Sequence, residues 1–249
     1  MFDERRHDID ALRSIALFLL IFYHLAVSFT SVAKWILFVP NNKPIDNIWS
    51  LLSIFNIWRI PLLFIIAGIA LRFSYQNRGV GKLFKERFKR LGIPYLFGAV
   101  TFVPLYIIIS AQFIYGDMSL DDNIGVLITS IFTGGHLWFL INILIYCLLF
   151  IPIIGFISNK KRGYKFVDSI LKIRGGVLLF SIPIILEGYL LDLTAYKEDI
   201  GYGNSYSEYY GTDHGLLLGF IWFLIGIVLT SQGDTFWEYN IKNVNTHAL

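Results

Sequence analysis

Apolar residues along this chain fall into long unbroken blocks rather than into alternating or three-to-four-spaced stripes. Six blocks stand out, at residues 14–33, 57–71, 93–115, 136–157, 176–191 and 215–231. A helix needs about 20 apolar residues to cross the hydrocarbon core of a bilayer. The pattern therefore predicts an all-α, polytopic transmembrane helix bundle of about six spans. The block at 57–71 is short and must lean on its flanks. Buried helices of a soluble protein are the competing reading, and the number of long runs argues against it.

Composition agrees with the pattern: 55% of the 249 residues are hydrophobic, and the mean hydropathy is +0.61. The first run is longer than the core of a signal peptide and no small-x-small cleavage site clearly follows it, so it is expected to stay as the first helix. There is no internal repeat, low-complexity tract or long linker, so residues 1–249 read as a single integral membrane domain. Cys147 is the only cysteine, which leaves no intrachain disulfide and no cysteine metal cluster.

The net charge of +3 matters less than its placement. Basic residues gather at Arg5, Arg6 and Arg13, then at Arg72, Arg78, Lys82, Lys85, Arg87, Lys89 and Arg90, then at Lys160, Lys161, Arg162, Lys165, Lys172 and Arg174. Residues 112–135 carry none and 192–214 only Lys197. Cytoplasmic loops are the basic ones, which puts the N-terminus, the 72–90 loop and the 160–174 loop in the cytoplasm and makes the chain a multi-pass protein of a cell membrane. Residues 160–165 suit an anchor to anionic lipid. The stretch "KLFKERFKRLGIPY" reads as an amphipathic helix that turns into the third span at Pro94. Arg87 and Arg90, three apart, share a face there, and paired guanidinium forks suit a phosphate-rich cytoplasmic ligand. Lipid anchoring competes with that reading.

Ionisable residues inside the blocks are few: His24, Arg59 and Glu187. Such residues are costly in lipid and mark function or pairing. An Arg59–Glu187 ion pair would solve both burial problems; alternatively one of them faces a substrate cavity. In "RSIALFLLIFYH" the eleven steps from Arg13 to His24 turn the helix by about 1100°, three turns plus about 20°. Asp10 lies about 40° off the same line. Asp10, Arg13 and His24 thus form one polar stripe, with His24 about 16 Å along the axis from Arg13, near the bilayer midplane. Arg13 could simply reach the interface and His24 bond a neighbouring helix. A neutral imidazole, however, takes and gives a proton near neutral pH and could act as general base on a hydroxyl. His136, at the mouth of the fourth block, either lines an acceptor cavity or sits at the interface beside Trp138.

Other chemistries lack their signatures. There is no G-x-S-x-G elbow, no Walker loop and no H-E-x-x-H, and "GVG" at 79–81 is too weak for a phosphate loop. No aspartate stands four positions after His24. Nothing points to a bound cofactor or metal, and no basic-aromatic surface suggests nucleic acid. Asp121 and Asp122 could cap a short helix at the outer leaflet that Gly134 and Gly135 end. The 192–214 stretch, rich in tyrosine and acids, suits sugar binding or an interfacial belt.

Four stretches together resemble the acyltransferase-3 family of integral membrane O-acyltransferases. "RRHDIDALRSIALFLLIFYH" resembles its first helix, "IWRIPLLFIIAGIALRFS" its second, "KERFKRLGIPYLFG" its loop and third helix, and "GGHLWFLINILIYCLLF" its Gly-His-Leu-Trp-Phe helix. The second and fourth lean toward the glucans biosynthesis protein C branch. The resemblance implies transfer of an acyl group, often acetyl and in some branches succinyl, from cytoplasmic acyl-CoA to a hydroxyl of an extracytoplasmic cell-envelope carbohydrate, in the cytoplasmic membrane of a bacterium. It implies His24 as the catalytic histidine, Arg13 as its motif partner, and Arg87 and Arg90 on the CoA side. Acyl-CoA would be a donor substrate rather than a bound cofactor. The family usually has about ten helices, so the resemblance also implies missing C-terminal helices, with either an inactive truncated member or closure of the site by homo-oligomerisation as consequences. The rival function class is transport, a flippase for acyl or glycan precursors with His24 as proton relay; no interrupted helices in inverted symmetry support it.

Overall fold

The structure, a computed structural model, describes residues 7–31, 33–36, 38–45, 47–76, 78–117, 119–133, 135–157, 163–173, 175–195 and 213–231. Helix is the regular structure throughout these residues. The basic residues 160–162, most of the tyrosine-rich stretch and the polar tail from 232 lie outside them. The chain divides into two compact units: one takes His7–Ile60 with Glu86–Leu144, the other Pro61–Lys85 with Ile145–Leu249. The helices Ile48–Gln76, Val80–Arg87 and Trp138–Phe150 contribute to both.

The first unit begins with α1 (His7–Val27). Its packed side carries buried Ile9, Ala16 and Val27, with Asp10, Arg13, Leu20, Tyr23 and His24 half-buried between them. Its other side exposes Leu12, Ile15, Phe18, Ile21, Phe22 and Leu25. This three-to-four spacing puts the polar stripe on the side that meets protein and the large apolar residues on the side suited to lipid. The helix stops six residues before the apolar block does. The Thr30 hydroxyl donates to the Val27 carbonyl at 2.7 Å, and the Phe29 and Thr30 amides return to the Ala26 and Val27 carbonyls at 3.0 and 2.9 Å. Such local bonds offer the backbone a turn in place of further helix. A short 3-10 turn (Ala33–Ile36) follows. The Asn41 amide bonds Ser28 and the Ile45 amide bonds Phe29, each at 2.8 Å, so the segment folds back on the end of α1.

Helix α2 (Ile48–Gln76) is far longer than the 57–71 block that announces it. The expected 72–90 loop correspondingly shrinks. Arg72 lies within α2, buried at 8% exposure, with its Nε donating to Ser231 Oγ at 3.3 Å. It is a buried structural cation of the second unit, not a loop charge. Helix resumes at α3 (Val80–Arg87), widens into a π turn (Phe88–Gly92) in which the Ile93 amide bonds the Phe88 carbonyl, and continues as α4 (Ile93–Val100) and α5 (Phe102–Tyr115). Pro94 explains the π turn: it has no N–H for the Arg90 carbonyl and its ring presses on that carbonyl, so a wider turn lets the helix pass. Thr101, whose hydroxyl donates to the Phe97 carbonyl at 2.6 Å, divides α4 from α5 just ahead of Pro104.

Helix α6 (Leu120–Thr133) packs on α4 and α5. Its cap is Ser119: the Ser119 hydroxyl accepts from the Asp122 amide at 3.1 Å and donates to Asp122 Oδ2 at 2.6 Å, and the Ser119 amide also donates to that carboxylate, at 3.2 Å. This is a reciprocal capping box, so Asp122 completes the cap rather than providing it alone. Gly135, at φ +46°, then turns the chain into a 3-10 turn (Gly135–Leu137) and α7 (Trp138–Phe150).

In the second unit the apolar block beyond Phe150 breaks at Ile151–Ile153, where Pro152 stands, before the one-turn α8 (Ile154–Ile157). Helix α9 (Gly163–Lys172) buries Val167 and Leu171 against Ile225 and Leu229. A 3-10 turn (Gly176–Ser181) leads into α10 (Ile182–Ala195), and α11 (Asp213–Ser231) closes the described chain. Helices α2 and α11 touch backbone to backbone. A Cβ on Gly68 would collide with the Phe223 carbonyl oxygen, and one on Gly226 with that of Ile65. Small residues at helix crossings serve this close approach. Tyr146 donates to the Leu216 carbonyl at 2.6 Å, and its ring borders Phe64, Phe220 and Phe223.

Each of the six apolar blocks is helical over most of its described length. Among the described residues, three helical runs, His7–Val27, Trp58–Tyr75 and Val80–Tyr115, are long and apolar enough to cross a membrane, while Gly135–Phe150, Leu178–Glu187 and Gly215–Ser231 are apolar but shorter.

Candidate active site

His24 sits in the last turn of α1. The apolar block runs on to residue 33, but the turn at Thr30 brings the helix end to within three residues of the imidazole. Its Nδ1 lies 2.9 Å from the Leu20 carbonyl oxygen. A carbonyl only accepts, so Nδ1 carries the proton in this bond, and Nε2 is the acceptor of the neutral ring. The backbone thereby fixes both the tautomer and the orientation of the imidazole.

Around this ring the first unit gathers aromatic side chains from three further segments. Phe38, in the segment that folds back after α1, stacks on His24 with ring centres 5.7 Å apart and planes at 16°. His136, in the turn ahead of α7, meets His24 edge to face at 6.1 Å. Tyr106 of α5 lies 4.5 Å from His136 and 5.9 Å from Phe38. Tyr23 flanks His24 at 5.6 Å.

Arg59 braces the same turn of α1. Its side chain is buried, at 1% exposure; Nη1 donates to the Leu19 carbonyl at 3.3 Å, and the guanidinium carbon stands 4.5 Å over the Tyr23 ring. A cation over an aromatic face is attracted to the ring's electron density, more so where water is excluded. Two consecutive carbonyls of α1, Leu19 and Leu20, are thus engaged by Arg59 and by His24.

The other expected residues are distributed as follows. Asp10 and Arg13 share the packed side of α1 with His24, Arg13 about 16 Å along the axis. Arg87 and Arg90 flank the start of the π turn. That wider winding turns less per residue than an α-helix, so the spacing of three no longer sets them one above the other. Arg87 is half-buried, whereas the side chain of Arg90 is 68% exposed and pairs with Glu86 at 3.0 Å. Glu187 is buried at 4% exposure on α10, in the second unit, while Arg59 belongs to the first. Sequence reasoning missed Phe38 and Tyr106. Tyr106 had a signal, a hydroxyl-bearing ring inside an apolar run; Phe38 had none.

A helical apolar chain with an oriented neutral imidazole is equipped to take a proton from a hydroxyl. A model of a family described as an acyltransferase domain matches residues 6–236. The chain belongs to the acyltransferase-3 family. The match reaches into both compact units and, apart from Arg5, takes in the four stretches on which the resemblance rests. No curated protein and no solved structure matches the chain. Membership and the apolar helices together make this a membrane protein with acyl transfer as its class of activity. In that chemistry an acceptor oxygen must lose its proton as it attacks the acyl carbonyl.

Proposed function

We propose that the chain is an acyl-CoA-dependent O-acyltransferase of a bacterial cytoplasmic membrane, transferring acetyl or succinyl from cytoplasmic acyl-CoA to a hydroxyl of an extracytoplasmic envelope carbohydrate. The observation that carries this reading is the His24 ring on the packed side of α1, with Nδ1–H tied to Leu20 and Nε2 as acceptor. His24 Nε2 takes the acceptor's proton while that oxygen attacks the thioester carbon. The new C–O bond forms, the C–S bond breaks, and the departing CoA thiolate takes the proton back from the imidazolium. With the N-terminus cytoplasmic, Asp10 and Arg13 mark the inner end of the polar side of α1. Arg87 and Arg90 face the CoA phosphates, for which Arg90 exchanges its Glu86 partner. Arg59 and His136 stand on the acceptor side of His24, and six crossings return the C-terminal end to the cytoplasm.

Sealed inverted membrane vesicles supplied with labelled acetyl-CoA test this directly. Label is expected in lumenal carbohydrate, and right-side-out vesicles given the same outside donor should stay unlabelled. In the inverted vesicles, Arg87→Glu combined with Arg90→Glu should raise the KM for acetyl-CoA about tenfold or more, the loss of one or two charge-assisted hydrogen bonds. An unchanged KM would return both arginines to lipid anchoring.

A further inference from the structure

Two imidazoles meet in the first unit, and their spacing carries information. A direct N–H···N bond between two imidazoles brings ring centres to about 5 Å, a ~3 Å N···N separation plus two ring radii. The His24 and His136 centres are 6.1 Å apart, with planes at 82°. That is too far for the direct bond and leaves room for one oxygen atom to bridge a nitrogen of each ring.

The spacing is built by the fold. Gly135 takes a positive φ of +46°, and a Cβ there would run into the Val103 side chain; this turn delivers His136 to the site. The His136 ring then stands against Tyr106 at 4.5 Å and 73° and against Phe38 at 4.9 Å and 67°. Phe38 also stacks on His24, so one phenyl ring sets the positions of both imidazoles. His136 nevertheless keeps an exposed surface, so an incoming hydroxyl can reach it.

We propose that His136 is a catalytic residue that holds the acceptor hydroxyl against His24, donating an N–H hydrogen bond to the oxygen whose proton His24 Nε2 removes. This rests on the reading of His24 as the base. The proton passes from the acceptor oxygen to His24, the oxygen bonds the acyl carbon, and the thiolate leaves with that proton; His136 keeps its own throughout. Its contribution is orientation of the nucleophile, lost when the polar edge is lost.

Two substitutions separate this role from packing. His136→Phe keeps a ring against Tyr106 and Phe38 but removes both nitrogens. His136→Gln loses the ring and keeps a donor. Both are compared with wild type and His24→Ala in native membranes given labelled acetyl-CoA, with rates normalised to the protein that elutes as a single species in detergent. His136→Phe should lower transfer at least about 100-fold, the low end of the range for removing one positioned hydrogen-bond donor, with the KM for acetyl-CoA unchanged. His136→Gln should stay within about fivefold of wild type. Wild-type rates in His136→Phe, or a fall in His136→Gln as deep as that in His136→Phe or deeper, would overturn the assignment. Persistent transfer in His24→Ala would instead overturn the base itself.

Discussion

Replacing His24 with alanine should lower acyl transfer about 10³-fold, the middle of the range for losing a positioned general base. The measurement is the initial rate of label transfer from acetyl-CoA in membranes containing equal amounts of folded protein. The structure gives reasons to expect so large an effect from one side chain. The imidazole is not a loose ring that water could replace: Leu20 fixes its tautomer, Phe38 covers its face, and Arg59 holds the neighbouring carbonyl and the Tyr23 ring. The KM for acetyl-CoA should change little, because the arginines assigned to the donor stand on a different segment, at the start of the π turn. Wild-type rates in the variant would assign the ring to packing.

The largest effect on stability is expected at the α2–α11 crossing. Gly226→Val should lower the unfolding temperature of the detergent-solubilised protein by about 10 °C, corresponding to ~3 kcal/mol of overpacking in a chain of this size. A side chain there meets the Ile65 backbone, which cannot rotate away as a flexible side chain would. Gly68→Val should act similarly against Phe223. Gly125→Ala is the control: a Cβ there meets nothing within 4 Å, and replacing a helical glycine with alanine favours the helix. Equal melting of Gly226→Val and wild type would mean that the two helices do not approach backbone to backbone.

Much of the architecture could be read from residue order, because the forces that shape it act over whole blocks. The apolar runs gave helices, and a rotation of 100° per residue put Asp10, Arg13 and His24 on one side of α1, which is the side that packs. Where single groups decide, the reading failed. The end of α1 depends on the Thr30 hydroxyl and two amides, which block hydropathy does not register. The π turn depends on what Pro94 does to the Arg90 carbonyl, and it altered the relation of Arg87 to Arg90 that even spacing implied. Arg72 looked like a loop charge because α2 runs past its apolar block, and its neutral partner, Ser231, lies far away in sequence. In the candidate site, His24, Arg59 and His136 were legible as polar residues in apolar runs, but nothing in the chain order could bring Phe38 and Tyr106 to them. The contact network that gives the site its shape is tertiary.

The most direct test of the central claim is the O-acyl content of envelope carbohydrates, measured by mass spectrometry in cells that express the wild-type chain, His24→Ala or neither. Acyl groups present with the wild type and missing from both other strains are the expected result. Equal acylation with the wild type and His24→Ala would contradict it.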